Sequence, residues 1–389
     1  MNVQPLTAPI DSRRARGLAS RRLALVDSRA MRKGGVERTL MILAKGLMDR
    51  HESVRVIISK NDRNYRVVEW LLENDIAVEC APELETLNVG FWKGTWSLYK
   101  LFKSINAEVI NFHSHSNQIW IREALAARLS GAGRVVATVH HAVSFSSGRD
   151  RLKTRIAAMF CNDVIVTTEF MRRLLHEEAG IGLKKLRVVG PAVPAPTEGW
   201  CRAAIRERLG LPEGAFVIGT LARLFPNKGI SDLIQAVAQM PQAPEGVVLV
   251  VGGTGPEMDA LQAEARERLP GREFFLGDVQ DVADVYGGAD LFVLPSYEEG
   301  FGLVYIEAAL YGLPSIGARV GGVPEAVLDG ETGLLVPPGQ IDALSEAMQR
   351  LRTDPSRRRS MGEAAKRRAE SEFSIAAMVD AYEAILYQA

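Results

Sequence analysis

Two carboxylates eight positions apart, Glu299 and Glu307, lie in SYEEGFGLVYIEAALYGLPS (residues 296–315), beside a phenylalanine bracketed by Gly300 and Gly302. Carboxylates that accept hydrogen bonds through two oxygens suit hydroxyl-rich partners such as ribose or hexose. The glycines let the backbone pass close to a ligand and present N–H groups, and LVYIEAALYG reads as a helix closed by Gly312 and Pro314. Glu299 then sits in a loop and Glu307 in the helix behind it. A structural account, with Glu299 capping the helix and Glu307 in a surface ion pair, explains neither the glycines nor the apolar neighbours of Glu307.

A second cluster is cationic. ARLFPNKGISDLI places Arg223 and Lys228 five apart, where the chain turns through Asn227 and Gly229 into a helix. Two cations at a helix N-terminus form an anion site, with phosphate as the natural guest. GTGPEMDAL sets Gly253 and Gly255 before a helix opened by Pro256. This half-matches a dinucleotide fingerprint, but the third glycine and the downstream acid are missing, and a tight strand-to-helix turn with Pro at the first helical position serves equally. Four of the six histidines, His113, His115, His140 and His141, fall at two neighbouring strand ends. Such a cluster admits zinc. Adjacent His140 and His141 cannot both reach one ion from a strand, however, and no Cys or carboxylate accompanies them, so polar lining of a pocket is the better reading.

The elements that must position these residues alternate in type. RLALVD, VRVIIS, EVINF, RVVATV and DVIVTT in the first half, and FVIGTL, GVVLVVG, EFFLG, DLFVLP and GLLVP in the second, read as strands separated by amphipathic helical stretches. That alternation predicts two α/β domains, each a doubly wound parallel sheet covered on both faces, with a ligand cleft beyond the carboxyl ends of the strands. The chemistry-bearing residues all follow strands. Between the halves, GPAVPAPTEGW (residues 190–200) favours an extended connector. The expected division is a leader over residues 1–20, domains over 21–195 and 196–373, and a C-terminal helix over 374–389 that packs back towards the N-terminal domain.

At 389 residues, 47% hydrophobic and 24% charged, the chain buries a large core. Its longest apolar runs fall far short of the roughly 20 residues of a membrane span. Three scattered cysteines, Cys80, Cys161 and Cys201, suit a reducing compartment and read as small core residues. The zero net charge hides a division: residues 1–200 hold 30 Lys+Arg against 20 Asp+Glu, and residues 201–389 hold 17 against 27.

EGFGLVYIEA resembles the E-x7-E signature of the retaining GT4 glycosyltransferases, which have the GT-B fold of two Rossmann-like domains facing across a cleft. The likeness runs on through GLPSIGARVGGVPEAVLDGETGLLVPPG and back through GTLARLFPNKG and VGGTGPE; in the first half GGVERTLMILAKGL, EVINFHSHS and VVATVHHAV are similar to the family's glycine loop, strand end and Thr-x-His loop. VVGPAVPAP departs from the family's Asn-Gly-Val-Asp turn at the linker, away from the donor site. The resemblance implies that Arg223 and Lys228 grip a donor diphosphate and that Glu307 holds the ribose. Glu299, with the amides of Phe301, Gly302 and Leu303, would hold the transferred sugar. Gly34 and Gly35 would approach the phosphates, Gly253 would belong to the donor site, and His140 would line the sugar and acceptor pocket.

The implied reaction is transfer of a sugar from a nucleotide diphosphate sugar, UDP or GDP by family habit, to an acceptor hydroxyl with retention. No Asp-x-Asp is present to hold a divalent ion, so no metal or other cofactor is expected, and no nucleic-acid partner. The acceptor would be an envelope glycan or glycolipid, or else a soluble small molecule. An epimerase or hydrolase on the same architecture, and a non-catalytic nucleotide-sugar binder, are the competing classes. NVGFWKGTWSLYKLFKSI (residues 88–105) interleaves Phe91, Trp92, Trp96, Tyr99 and Phe102 with Lys93, Lys100 and Lys103. That mixture suits an anionic membrane surface, whereas Leu98, Leu101, Phe102 and Ile105 have the spacing of a helix packed on a sheet. The expected location is cytoplasmic, peripheral on the membrane if the tryptophans are exposed.

Overall fold

The computed structural model describes residues 22–27, 35–50, 53–59, 65–84, 90–114, 121–141, 145, 147–241 and 246–388. The expected leader and His115 lie outside them. The chain divides into two compact units, one of residues up to Ala192 together with Ile375–Ala389, the other of Val193–Ser374.

In the first unit seven parallel strands, β1 (Leu23–Asp27), β2 (Val54–Ser59), β3 (Ala77–Ala81), β4 (Val109–Ser114), β5 (Arg134–Val139), β6 (Asp163–Val166) and β7 (Leu186–Val188), lie in the order β3-β2-β1-β4-β5-β6-β7. Alternate residues feed two cores on opposite faces. Leu23 and Leu25 join one with Leu40, Leu43, Met378 and Tyr382, while Ala24 and Val26 join the other with Leu98, Phe102 and Ala127. Side chains of successive strand residues point to opposite faces, so a strand covered on both must be apolar throughout. The terminal helix Ile375–Leu386 completes the first of these cores by lying against helix Gly35–Met48. A Cβ on Gly46 would come within 2.4 Å of Val379, so that close approach needs glycine. Arg50 adds ion pairs to Asp380 (2.6 Å) and Glu383 (2.7 Å).

In the second unit six parallel strands, β8 (Phe216–Leu221), β9 (Val247–Gly252), β10 (Glu273–Gly277), β11 (Leu291–Leu294), β12 (Ser315–Ala318) and β13 (Gly333–Val336), take the order β10-β9-β8-β11-β12-β13. Both units are therefore doubly wound, and their strand order reverses between β1 and β4 and between β8 and β11. Ligands of such sheets bind beyond the carboxyl ends of the strands at that reversal.

Three expectations need correction. Helix Met258–Arg268 begins two residues after Pro256, which lies in the preceding turn and not at the first helical position. Of the cysteines only Cys161 is buried, and burial pushes its thiol up to about 12; Cys80 and Cys201 are exposed. Strands β3, β7 and β12 were not among those read from the sequence. Among the described residues no helix is long and apolar enough to cross a membrane.

Candidate active site

β8 ends at Leu221, and the chain after it carries Arg223 and then a single 3-10 turn, Pro226–Lys228. Gly229 follows with φ 66° and leads into helix Ile230–Gln239. A Cβ there would lie 2.4 Å from the carbonyl oxygen of Pro295, so glycine is required twice over, by conformation and by space. The same close approach joins the loops after β8 and β11: the Tyr297 amide donates to the Asn227 carbonyl at 2.8 Å. This brings Lys228 to Glu299 although they are 71 positions apart, with Nζ donating to Oε2 at 2.7 Å. Both side chains are largely buried. Lys228 thus holds Glu299 at the reversal point of the sheet.

Arg223 is exposed, its guanidinium over the Phe225 ring at 5.6 Å, and among the described residues no carboxylate pairs with it. An uncommitted cation beside a committed one suits an incoming anion, because binding at Arg223 need not break an existing pair. Gly253 has an architectural reason for its identity. At φ 116° a Cβ would sit 1.8 Å from the Ala222 carbonyl oxygen, and one on Gly255 would sit 2.2 Å from that of Leu224. These contacts seat the loop after β9 on the one that carries Arg223, where the Leu224 amide donates to the Thr254 carbonyl at 2.9 Å.

Beyond β11, Gly302 (φ 86°) precedes helix Leu303–Leu310, whose first amides have no partner within the helix. A Cβ on Gly302 would meet the Tyr305 ring at 2.5 Å. The Phe301 ring is buried against Phe373, so the ring itself is committed to the core. Tyr305 fastens the helix to β11 by donating to the Leu294 carbonyl at 2.6 Å. Burial first, and the Glu299 charge second, push its hydroxyl well above the usual tyrosine range, so it stays a donor. Glu307 is 9% exposed and accepts a hydrogen bond from the Tyr286 hydroxyl at 2.9 Å. The surface ion pair weighed for Glu307 is therefore not what the fold builds. The loop after β12 closes the site from behind: Gly322 N donates to the Glu299 carbonyl at 3.3 Å, and a Cβ on Gly321 would lie 1.9 Å from that oxygen.

Arg223, Lys228, Gly253, Glu299, Phe301, Gly302, Leu303 and Glu307 thus share the carboxyl ends of β8, β9 and β11 in the second unit. Gly35 opens helix Gly35–Met48 in the first unit, and Gly34 lies outside the described residues. His140 belongs to the first unit too, where its Nε2 is 2.8 Å from Nδ1 of buried His113, with the rings stacked. At that distance one nitrogen donates and the other accepts, so the tautomers of the two rings are linked. His141 is exposed, and among the described residues no three His, Cys, Asp or Glu side chains converge on a metal position.

Tyr286 and Gly321 were not singled out from sequence. Tyr286 lies in DVYGGAD and carries no local mark of its task. Gly321 and Gly322 form a double glycine, which permits close backbone approach, but the strand before it carries no pattern that marks it as one.

Two family models divide the chain, "Glycosyltransferase Family 4" over residues 33–195 and "Glycosyl transferases group 1" over residues 202–368. A GDP-mannose-dependent monoacylated alpha-(1-6)-phosphatidylinositol monomannoside mannosyltransferase of Corynebacterium glutamicum is 31% identical over 270 residues, 64% of this chain and 68% of that protein. A D-inositol 3-phosphate glycosyltransferase of Kribbella flavida is 36% identical over 203 residues, 48% of this chain and 47% of its own length. The chain thus spans about half the length of that relative. Among solved structures, Anabaena Alr3699/HepE in complex with UDP superposes with a TM-score of 0.80 at 23% identity, over 95% of this chain and 100% of that one. A glycosyltransferase from Rickettsia africae does so with 0.81 at 19% identity, over the same shares. Two doubly wound units of this topology, matched over nearly their full length by such neighbours, have the GT-B fold, and the chain belongs to the group 1, family 4 glycosyltransferases.

Proposed function

We propose that the chain transfers a glycosyl group from a nucleotide diphosphate sugar to an acceptor hydroxyl, with retention and without a metal. The observation that carries this reading is the convergence of Lys228 and Glu299 on the switch point of the second sheet, with Arg223 open beside them and Glu307 buried behind. Arg223 and Lys228 take the donor diphosphate, Glu307 accepts from the ribose hydroxyls, and Glu299 accepts from hydroxyls of the sugar. Gly34, Gly35 and His140 keep the roles the resemblance implies for them, towards the phosphates and the acceptor.

In the reaction the bond between the anomeric carbon and the diphosphate oxygen breaks as an oxocarbenium-like centre forms. The acceptor oxygen attacks on the face the diphosphate leaves, and the departing phosphate oxygen takes its proton. Negative charge grows on the diphosphate, so fixed cations lower this barrier more than they improve ground-state binding. The names of relatives point to GDP-mannose and to phosphatidylinositol mannosides, and a structural neighbour holds UDP. These support a UDP- or GDP-sugar donor and a glycolipid or envelope-glycan acceptor.

A thermal-shift panel of UDP, GDP and ADP selects the base, since a ligand at 100 times its Kd stabilises by about 2.7 kcal/mol. With the matching donor, activity is expected to survive EDTA, and NMR of the product should show the donor's anomeric configuration. Strict dependence on Mg²⁺ or Mn²⁺, or an inverted product, refutes the mechanism. An epimeric nucleotide sugar would identify an epimerase; tight nucleotide binding with no turnover or donor hydrolysis would identify a binder.

Tyr286 supplies a separate test as a positioning residue. Its hydrogen bond occupies one lone pair of Glu307 Oε2 and orients the carboxylate for the ribose. Tyr286→Phe should weaken UDP or GDP, whichever binds, by about 10- to 100-fold, since a hydrogen bond to a charged group is worth about 1.5–3 kcal/mol. The 2′-deoxy nucleotide, which lacks one of the hydroxyls to be held, should lose less. Equal losses for both would assign Tyr286 a structural role alone.

A further inference from the structure

Helix Gly148–Phe160 buries one face and leaves an apolar stripe on the other. Thr154, Ala157 and Ala158 pack inward, whereas Leu152 (57% exposed), Ile156 (36%) and Met159 (71%) follow one another at helical spacing on the solvent side. Arg149 and Lys153 border the stripe on one side, Arg151 and Arg155 on the other, all exposed. Helix Phe91–Ile105 repeats the pattern. Leu98, Leu101 and Phe102 are buried, while Trp92 (75% exposed) and Trp96 (59%) stand opposite them with Lys100 and Lys103.

Helix Ile121–Leu129 packs between these two, and all three contribute to the same core on one face of the first sheet. Both apolar stripes therefore face away from that sheet on one side of the unit. The charge on this surface is lopsided: the three helices hold nine Lys+Arg against two Asp+Glu. Of the two acids, Glu123 is buried and Asp150 binds Ser147 and Lys153.

We infer that these two helices together form a docking surface for an anionic lipid bilayer, with helix Gly148–Phe160 as its second contact. The apolar stripes enter the headgroup boundary, the indoles sit at that depth, and the bordering cations meet lipid phosphates. Charge selects this occupant over a second copy of the chain, because a symmetric contact would oppose two cationic faces. The inference is independent of the sugar chemistry.

The test is flotation with phosphatidylcholine vesicles, with and without phosphatidylglycerol, on the full chain. The parent should float only with phosphatidylglycerol and less as salt shortens the Debye length. Trp92→Ser with Trp96→Ser, and separately Leu152→Ser with Met159→Ser, should each lower the bound fraction about tenfold. Leu72→Ser, an exposed apolar residue on a helix packed against the opposite core, should change nothing. The melting temperature should stay parental in every variant, which separates loss of docking from loss of fold. No binding of the parent to anionic vesicles at low salt, undiminished binding by the Leu152/Met159 pair, or a dimer abolished by the same substitutions would overturn the proposal.

Discussion

Lys228→Ala and Arg223→Ala should each lower turnover at saturating donor by about 10²–10³, the usual worth of one preorganised donor to a developing anion. Nucleotide affinity should fall less than rate, because in the proposed reaction the charge on the diphosphate grows only as its bond to the sugar breaks. The two variants should differ in stability. Arg223 is exposed and its loss leaves no partner behind. Lys228 and Glu299 are both largely buried, with the ammonium 2.7 Å from the carboxylate, so Lys228→Ala leaves a carboxylate with only a long contact to Ser296 (3.5 Å). Leaving such a charged group without its partner costs more than the about 1–3 kcal/mol of a neutral one. The experiment is steady-state kinetics with thermal melts alongside. Near-parental turnover in either variant at saturating donor would remove that residue from the phosphate site.

What the sequence could and could not disclose divides along one physical line. Residues whose task shows in their neighbours were legible: the glycines around Phe301, the Asn227–Gly229 turn and the β-branched runs all carry local conformational demands. The pairing of Lys228 with Glu299 was not, because it depends on β8 and β11 being adjacent in the sheet, and strand order does not appear in local composition. Tyr286 escaped notice for the same reason, meeting Glu307 through a contact between helices 21 positions apart.

Strand β12, SIGA, contains one β-branched residue between Pro314 and Gly321, too little to mark a strand, yet it is buried between β11 and β13. β3 and β7 lie at the two edges of their sheet, where half-exposed residues dilute the apolar pattern that marks a central strand. The cysteines went wrong because composition speaks to the compartment and not to the burial of each thiol.

Gly321→Ala should damage activity far more than its single methyl suggests, and Gly330→Ala is the control that shows why. Both glycines have positive φ, 49° and 82°, so alanine at either costs roughly 1–2 kcal/mol of backbone strain. At Gly330 nothing lies within 4 Å of the added Cβ, and the strain is the whole effect. At Gly321 the Cβ would stand 1.9 Å from the carbonyl oxygen of Glu299, and backbone cannot rotate out of the way as a flexible side chain would. The loop that carries Glu299 must move, and with it the carboxylate bound to Lys228. A displacement of about 1 Å at a positioning residue can cost about 10²-fold in rate. Gly321→Ala is therefore expected to lose about 10²-fold in turnover while remaining folded, and Gly330→Ala to keep parental turnover with a lower melting temperature. Equal turnover in the two variants would show that the position of Glu299 does not govern the reaction, and would remove it from the sugar site while leaving the phosphate site standing.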